Sequence, residues 1–240
     1  MSKSSSYNKP PIHPNVWRAS QLAQAQGRYI DTGYKALSQQ LPGKGWPLGQ
    51  LINVLVQQPG VGELQLVLPA LSHLNQGPIV LLNPGYQPQI AAWVQHGLAP
   101  SHLLWVAAPN SSNALWAALQ ILRSAAFPAL LFWQTEISPI AQRKLQLAAQ
   151  KSQTLFFMFQ PIQAAQQASP APLRLGVQAG PQGPNIRLLK RRGSPYTKTI
   201  SLPRAEFLRF GHSAANPGNF HHASLDQPLP SQPCTQPALS

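Results

Sequence analysis

A short apolar run, Gln50 to Val56 (QLINVLV), closes at Gln57-Gln58-Pro59-Gly60, and from Leu64 onward apolar residues recur at helical spacing. The first segment reads as a strand, because β-branched and leucine residues fill it and a Pro-Gly turn signal ends it. The second reads as a helix, because Leu64, Val67, Leu68, Leu71 and Leu74 fall three or four apart and so share one face. Pro69 lies inside that helix, where a missing N–H and a ring clash cost about 3 kcal/mol and predict a kink.

The same alternation continues downstream. Strands are predicted at 78–82 (PIVLL), 103–107 (LLWVA), 129–133 (ALLFW) and 154–159 (TLFFMF), with helices at 87–96, from Asn110 to Ala126, and from Ser138-Pro139 to about Lys151. Unbroken apolar strands separated by helices imply a parallel sheet covered on both faces, a three-layer α/β/α sandwich. Trp93, Trp105, Trp116 and Trp133 fall on these elements and are expected in the core.

Strand, glycine loop and helix is the setting of a P-loop, which ends in Gly-Lys-Ser/Thr so that lysine meets the β and γ phosphates and the hydroxyl meets Mg²⁺. Here the loop has Gly60 and Gly62 but continues with Glu63 and Leu64 in place of lysine and hydroxyl. A carboxylate there repels a triphosphate, and gains ~0.3–1 kcal/mol from the helix N-terminus. The motif therefore reads as a degenerate P-loop with its own side chain in the phosphate position. The strand at 129–133, where a Mg²⁺-holding acid would sit, runs on into Trp133-Gln134, with Glu136 the nearest carboxylate. Glutamine does not replace a hard anionic ligand for Mg²⁺. The expectation is no ATPase, no cofactor and no catalytic residue.

Charge narrows the partners. The chain has 240 residues and a formal net charge of +13, with only 10% charged residues. Gly45 to Leu122 contains no Lys or Arg and only Glu63 as an acid, whereas Arg143 to Arg209 holds eleven basic residues and one acid. A basic C-terminal half predicts an acidic partner, either nucleic acid or an acidic protein surface, unless the charge is simply the solvated surface of a charge-poor core. The densest cluster, Lys190-Arg191-Arg192, ends a predicted strand just before Gly193, and Arg174, Lys198 and Arg204 extend it. These residues are the candidate partner or DNA contacts; the same cations also suit protection of a sheet edge.

Other chemistries find no pattern. The seven histidines, His13, His73, His96, His102, His212, His221 and His222, meet no cysteine or carboxylate at metal-ligand spacing. The single cysteine, Cys234, sets no disulfide framework and predicts a reducing compartment. The N-terminal MSKSSSYNKPP lacks the apolar core of a signal peptide, and no run reaches the length of a spanning helix, so a soluble cytoplasmic protein without membrane contact is expected.

The predicted organisation is a disordered N-terminus (1–13), an α/β core (14–161) opening with a helix capped by Asn15, a linker plus basic β extension (162–210) and a disordered tail (211–240). The extension comprises short strands at 173–178, 185–191 and 197–202, placed as an antiparallel addition to the sheet edge.

Residues 30–71, from Ile30-Asp31-Thr32-Gly33 through Leu37, Leu41, the Gly43 to Gly49 turn and the degenerate loop, resemble the entry into a RecA-type core. With Gly62-Glu63-Leu64 in the loop and LLKRRG at 188–193, the chain over about 14–210 resembles the ImuA family of RecA-like accessory proteins. That resemblance implies a RecA-like fold and a non-catalytic role in SOS-induced translesion synthesis, beside an ImuB-like Y-family polymerase homologue and an error-prone polymerase, with RecA or DNA as further partners. Residues 49 to about 161 are also similar to the SulA cell-division inhibitor family, which implies FtsZ as the partner instead. A third reading is a RecA paralogue with weak ATP or DNA binding.

Overall fold

The computed structural model describes residues 27–74, 77–86, 90–193 and 198–203, with the side chains of 90–92 excepted. The expectations for 1–13, the helix begun by Asn15, the tail 211–240, His13, His212, His221, His222, Arg204 and Cys234 lie outside the described residues.

The strands are β1 (Tyr29–Ile30), β2 (Trp46–Pro47), β3 (Gln50–Val56), β4 (Ile79–Leu82), β5 (Leu103–Val106), β6 (Ala129–Trp133), β7 (Leu155–Pro161), β8 (Leu173–Gln178), β9 (Asn185–Lys190) and β10 (Thr199–Ser201). The helices are α1 (Lys35–Ser38), α2 (Glu63–Ser72), α3 (Ile90–Gln95), α4 (Ser111–Ser124) and α5 (Pro139–Gln150). Strands β3 to β10 form one sheet in the order β10-β9-β8-β3-β7-β6-β4-β5. Every pairing from β8 to β5 is parallel, and β8–β9 and β9–β10 are antiparallel. The expected mostly parallel α/β sheet is present, and its first strand, β3, lies well inside it.

Two apolar layers explain why the strands read as continuous hydrophobic runs. Ile52, Val54, Leu81, Leu131 and Phe157 pack with Leu66, Val67 and Leu71 of α2 and with Trp93. Leu51, Val80, Leu130, Phe156 and Met158 pack with Ala114, Ala118 and Leu122 of α4 and Leu145 of α5. Successive residues of one strand thus enter opposite cores, so both parities must be apolar. Strand β5 departs from this pattern because it is the edge: Trp105 is 50% exposed. Trp116 is 64% exposed because it sits on α4 between the buried Ala114 and Ala118, facing away from the sheet. These two tryptophans correct the core expectation; Trp93 is buried and Trp133 is half-buried.

Capping follows the sequence signals. The Asn110 and Ser138 side chains accept from Asn113 N–H and Ala141 N–H at the starts of α4 and α5. Pro69 stands within α2, and the Gln65 carbonyl four residues earlier, which a proline cannot serve, accepts the Tyr34 hydroxyl at 2.8 Å. At the approach to β3, Gly49 has φ +65°, and a Cβ there would lie 2.5 Å from the Ser152 carbonyl oxygen, so glycine is required.

The extension joins the sheet differently from the expectation. β8 pairs parallel with β3, Ile52 opposite Leu173 and Val56 opposite Val177, so only β9 and β10 are antiparallel. The Gln-, Ala- and Pro-rich stretch after Pro161, expected as a linker or loosely tied loop, begins with a 3-10 turn at Ile162–Gln166 that buries Ala164.

Candidate functional site

The loop after β3 carries Gly60 and Gly62 with φ of +84° and +102°, the left-handed geometry that glycine tolerates best, and Gly62 caps α2. Glu63, the first residue of α2, is 1% exposed. Its carboxylate turns back into the loop: Oε1 accepts the Gly60 N–H at 2.9 Å and the Tyr86 hydroxyl at 3.0 Å. A loop amide that could hold a phosphate oxygen is therefore bonded to the protein's own carboxylate. Oε2 is buried without a hydrogen-bond partner among the described residues. Burial, reinforced by the Glu63 charge and hydrogen bond, pushes the Tyr86 hydroxyl pKa well above the ordinary tyrosine range, so Tyr86 stays a donor. Leu64 is partly buried against the α2-side core.

Beside this loop, the carboxyl ends of β3, β4, β5, β6 and β7 converge on a cleft of about 670 Å³. The carboxyl ends of strands are where open α/β sheets place their ligands. Among the described residues, no Lys, Arg or His lines this cleft, and Glu136 is the single charged residue of its lining. Trp133 stacks on Phe159 with ring centroids 4.6 Å apart. Gln134, at the position expected for a Mg²⁺-holding acid, donates from Nε2 to Ser111 Oγ at 3.0 Å and to the Glu136 carbonyl at 2.7 Å. Among the described residues, no group of three His, Cys, Asp or Glu is placed to hold a metal ion, and no helix is long and apolar enough to cross a membrane.

The basic residues do not converge on one surface. Arg174 is 8% exposed and engaged within the fold. Its Nε donates to Asn53 Oδ1 at 3.1 Å, one terminal nitrogen to the Gln167 carbonyl at 2.9 Å and the other to the Ala164 carbonyl at 2.8 Å. Three neutral acceptors hold this guanidinium, and burial lowers its pKa. Arg174 is thus a fastening for the 162–167 segment, which corrects its assignment as an outward contact. Lys190 is its cross-strand partner and donates to the Ser169 carbonyl at 2.8 Å. Its pKa is lowered by burial first and by the nearby Arg174 charge second. Arg191, one residue on, donates to the Gln40 carbonyl. Arg192 lies with Tyr29, Pro42 and Leu173 around a small cavity. Lys198, together with Arg187 on β9, is exposed. The run Lys190-Arg191-Arg192 therefore divides, Lys190 turning to the Ser169 carbonyl and Arg191 to the Gln40 carbonyl.

Sequence reasoning missed three polar residues. Asn53 interrupts QLINVLV and Gln160 ends the FFMF run of β7; both are fully buried. Asn53 Nδ2 donates to Gln160 Oε1 at 3.0 Å and to the Met158 carbonyl at 3.3 Å. A polar residue inside an otherwise apolar strand was the available signal, since a buried amide needs partners. Tyr86 gave no such signal, because its role depends on the fold bringing it to Glu63.

No protein-family model and no curated protein matches the chain.

Proposed function

We propose that this chain is a non-catalytic binding protein built on a RecA-type core, of the ImuA kind: a pseudo-ATPase that holds together the components of SOS-induced translesion synthesis. The observation that carries the reading is the Glu63 carboxylate bonded to Gly60 N–H at the head of α2, which puts negative charge where a P-loop puts lysine. The cleft beside it, without a cation among the described residues of its lining, and Gln134 in the acid's place support the same conclusion. The sheet order, with β3 inside and β7 and β8 on either side, supports the RecA-type core.

In this reading the protein acts as a scaffold. An ImuB-like Y-family polymerase homologue and an error-prone polymerase are the partners, with the exposed cations Arg187, Arg192 and Lys198 drawing in an acidic surface or DNA. The SulA-like alternative, with FtsZ as partner, draws on residues 49–161 alone. The continuation of the same sheet through β8, β9 and β10 favours the ImuA reading.

The test is a pull-down of the full chain against an ImuB-like protein and FtsZ side by side. Capture of the ImuB-like protein supports the proposal, and capture of FtsZ alone replaces it with the cell-division reading. A chain ending near Ala171 does not serve here, because it removes β8 from beside the central strand.

A further inference from the structure

We infer that the outer face of the helix pair α4 and α5 is a docking surface for an acidic amphipathic helix of a partner protein, with Trp116, Ile140 and Leu147 as its apolar contacts and Arg143 and Lys144 as its charged ones. The inference goes beyond the scaffold reading, which draws on the basic sheet edge. Both helices cover the core built on Leu51, Val80, Leu130 and Phe156, and they pack against one another there. α4 joins the parallel strands β5 and β6, and α5 joins β6 and β7, so the two helices run in the same direction over the sheet. Each buries one face, through Ala114, Ala118 and Leu122 on α4 and Ala141, Leu145 and Ala149 on α5. What they leave outward is not the purely polar face that surface helices ordinarily present. Trp116 is 64% exposed, Ile140 72% and Leu147 50%, three of the six large apolar side chains exposed among the described residues. α2, in the other core layer, exposes none.

Charge identifies the chemistry of the partner. On α5 the exposed Arg143 and Lys144 fall three and four residues after Ile140, and Leu147 and Lys151 continue the same stripe, so cations and aliphatic side chains share one outward face. Arg123 adds an exposed cation in the last turn of α4, and neither helix contains an acid to pair with these charges. A helix of glutamate or aspartate interleaved with leucine-like residues supplies both complements, and laid along α5 it needs about twelve residues, or ~18 Å. A lipid surface is a poorer complement. It takes apolar side chains flanked by cations, whereas Arg143 and Lys144 stand between Ile140 and Leu147, so insertion would bury them. Nucleic acid takes cations interleaved with stacking rings, and Ile140 and Leu147 offer no ring.

The probe is a labelled synthetic helix of about fourteen residues, with leucine at intervals of three and four and glutamate between. Fluorescence titration with the full chain, at about 0.15 M salt so that charges more than about 8 Å away are screened, should show saturable binding in roughly the micromolar range. Replacing the glutamates of the peptide by glutamine should weaken it about tenfold, as should the paired variants Arg143→Glu with Lys144→Glu and Ile140→Gln with Leu147→Gln. Arg192→Glu with Lys198→Glu, which reverses two cations of the sheet edge, should leave the affinity within about twofold. All six replaced side chains are exposed, so the urea midpoints should match the native chain. Should a variant unfold early, peptide-induced shifts of the α4 and α5 backbone amide resonances in the native chain carry the test. Absence of binding at millimolar-scale peptide, equal affinity for the glutamine peptide, or a loss confined to the Arg192 and Lys198 variant overturns the inference. Phosphatidylserine vesicles or a single-stranded oligonucleotide binding through Ile140 and Leu147 where the peptide does not would overturn it too, in favour of that binder. Each of these failures leaves the non-catalytic reading standing, since that reading falls only to Mg²⁺-dependent nucleotide binding.

Discussion

Glu63 is where the chemistry of this fold turns, because its position at the start of α2 was readable and its consequence follows from charge alone. A buried carboxylate needs donors, and it takes them from Gly60 and Tyr86. Tyr86→Phe should therefore lower stability by about 1–3 kcal/mol, since it removes a hydrogen bond to a charged group and leaves Oε1 with one donor; the urea midpoint measures this. The pH dependence has a definite sign. In the folded protein the Tyr86 pKa lies above its ordinary 10.0. As pH rises past 10.0 the unfolded chain loses that proton while the folded chain keeps it, so stability falls with rising pH in the alkaline limb. Tyr86→Phe should show a shallower fall, and an equal one would disconnect Tyr86 from Glu63.

At the scale of elements, the legible parts are those whose environment is uniform along their length. β3, β4, β6 and β7 are covered on both faces, so each parity is apolar and the runs stand out of the sequence. β5 has the same composition but lies at the edge, and nothing in LLWV distinguishes the two cases. The stretch after Pro161 reads as a linker by composition, yet Arg174, one strand later, supplies donors to its Ala164 and Gln167 carbonyls. That contact depends on β8 entering parallel beside β3, a pairing that the strand's own apolar pattern does not encode. Arg174→Met should cost roughly 3 kcal/mol or more, because it orphans buried acceptors on two elements. Limited proteolysis should then open the 162–167 segment first, and an unchanged urea midpoint would contradict the fastening role. Gly49→Ala should be destabilising by roughly 2 kcal/mol, combining left-handed strain with the approach to the Ser152 carbonyl; thermal unfolding reads it.

For the molecule as a whole, the sequence predicted a parallel sheet in a layered α/β fold and a phosphate loop without phosphate residues. It did not predict that the basic cluster would divide, since Lys190 and Arg191 turn to Ser169 and Gln40. Besides Lys190, the exposed cations of the basic edge are Arg187, Arg192 and Lys198 among the described residues. Reversing these three to glutamate should weaken capture of an acidic partner and flatten its salt dependence without moving the unfolding midpoint. Unchanged capture across a salt series would remove the basic edge from the mechanism. The central claim is that the strand, loop and helix at β3 and α2 kept the architecture of a nucleotide site and lost its chemistry. Equilibrium titration of the full chain with ATP, with and without Mg²⁺, tests it most directly. The account predicts no Mg²⁺-dependent binding up to millimolar nucleotide, and saturable Mg²⁺-dependent binding in the micromolar range would contradict it.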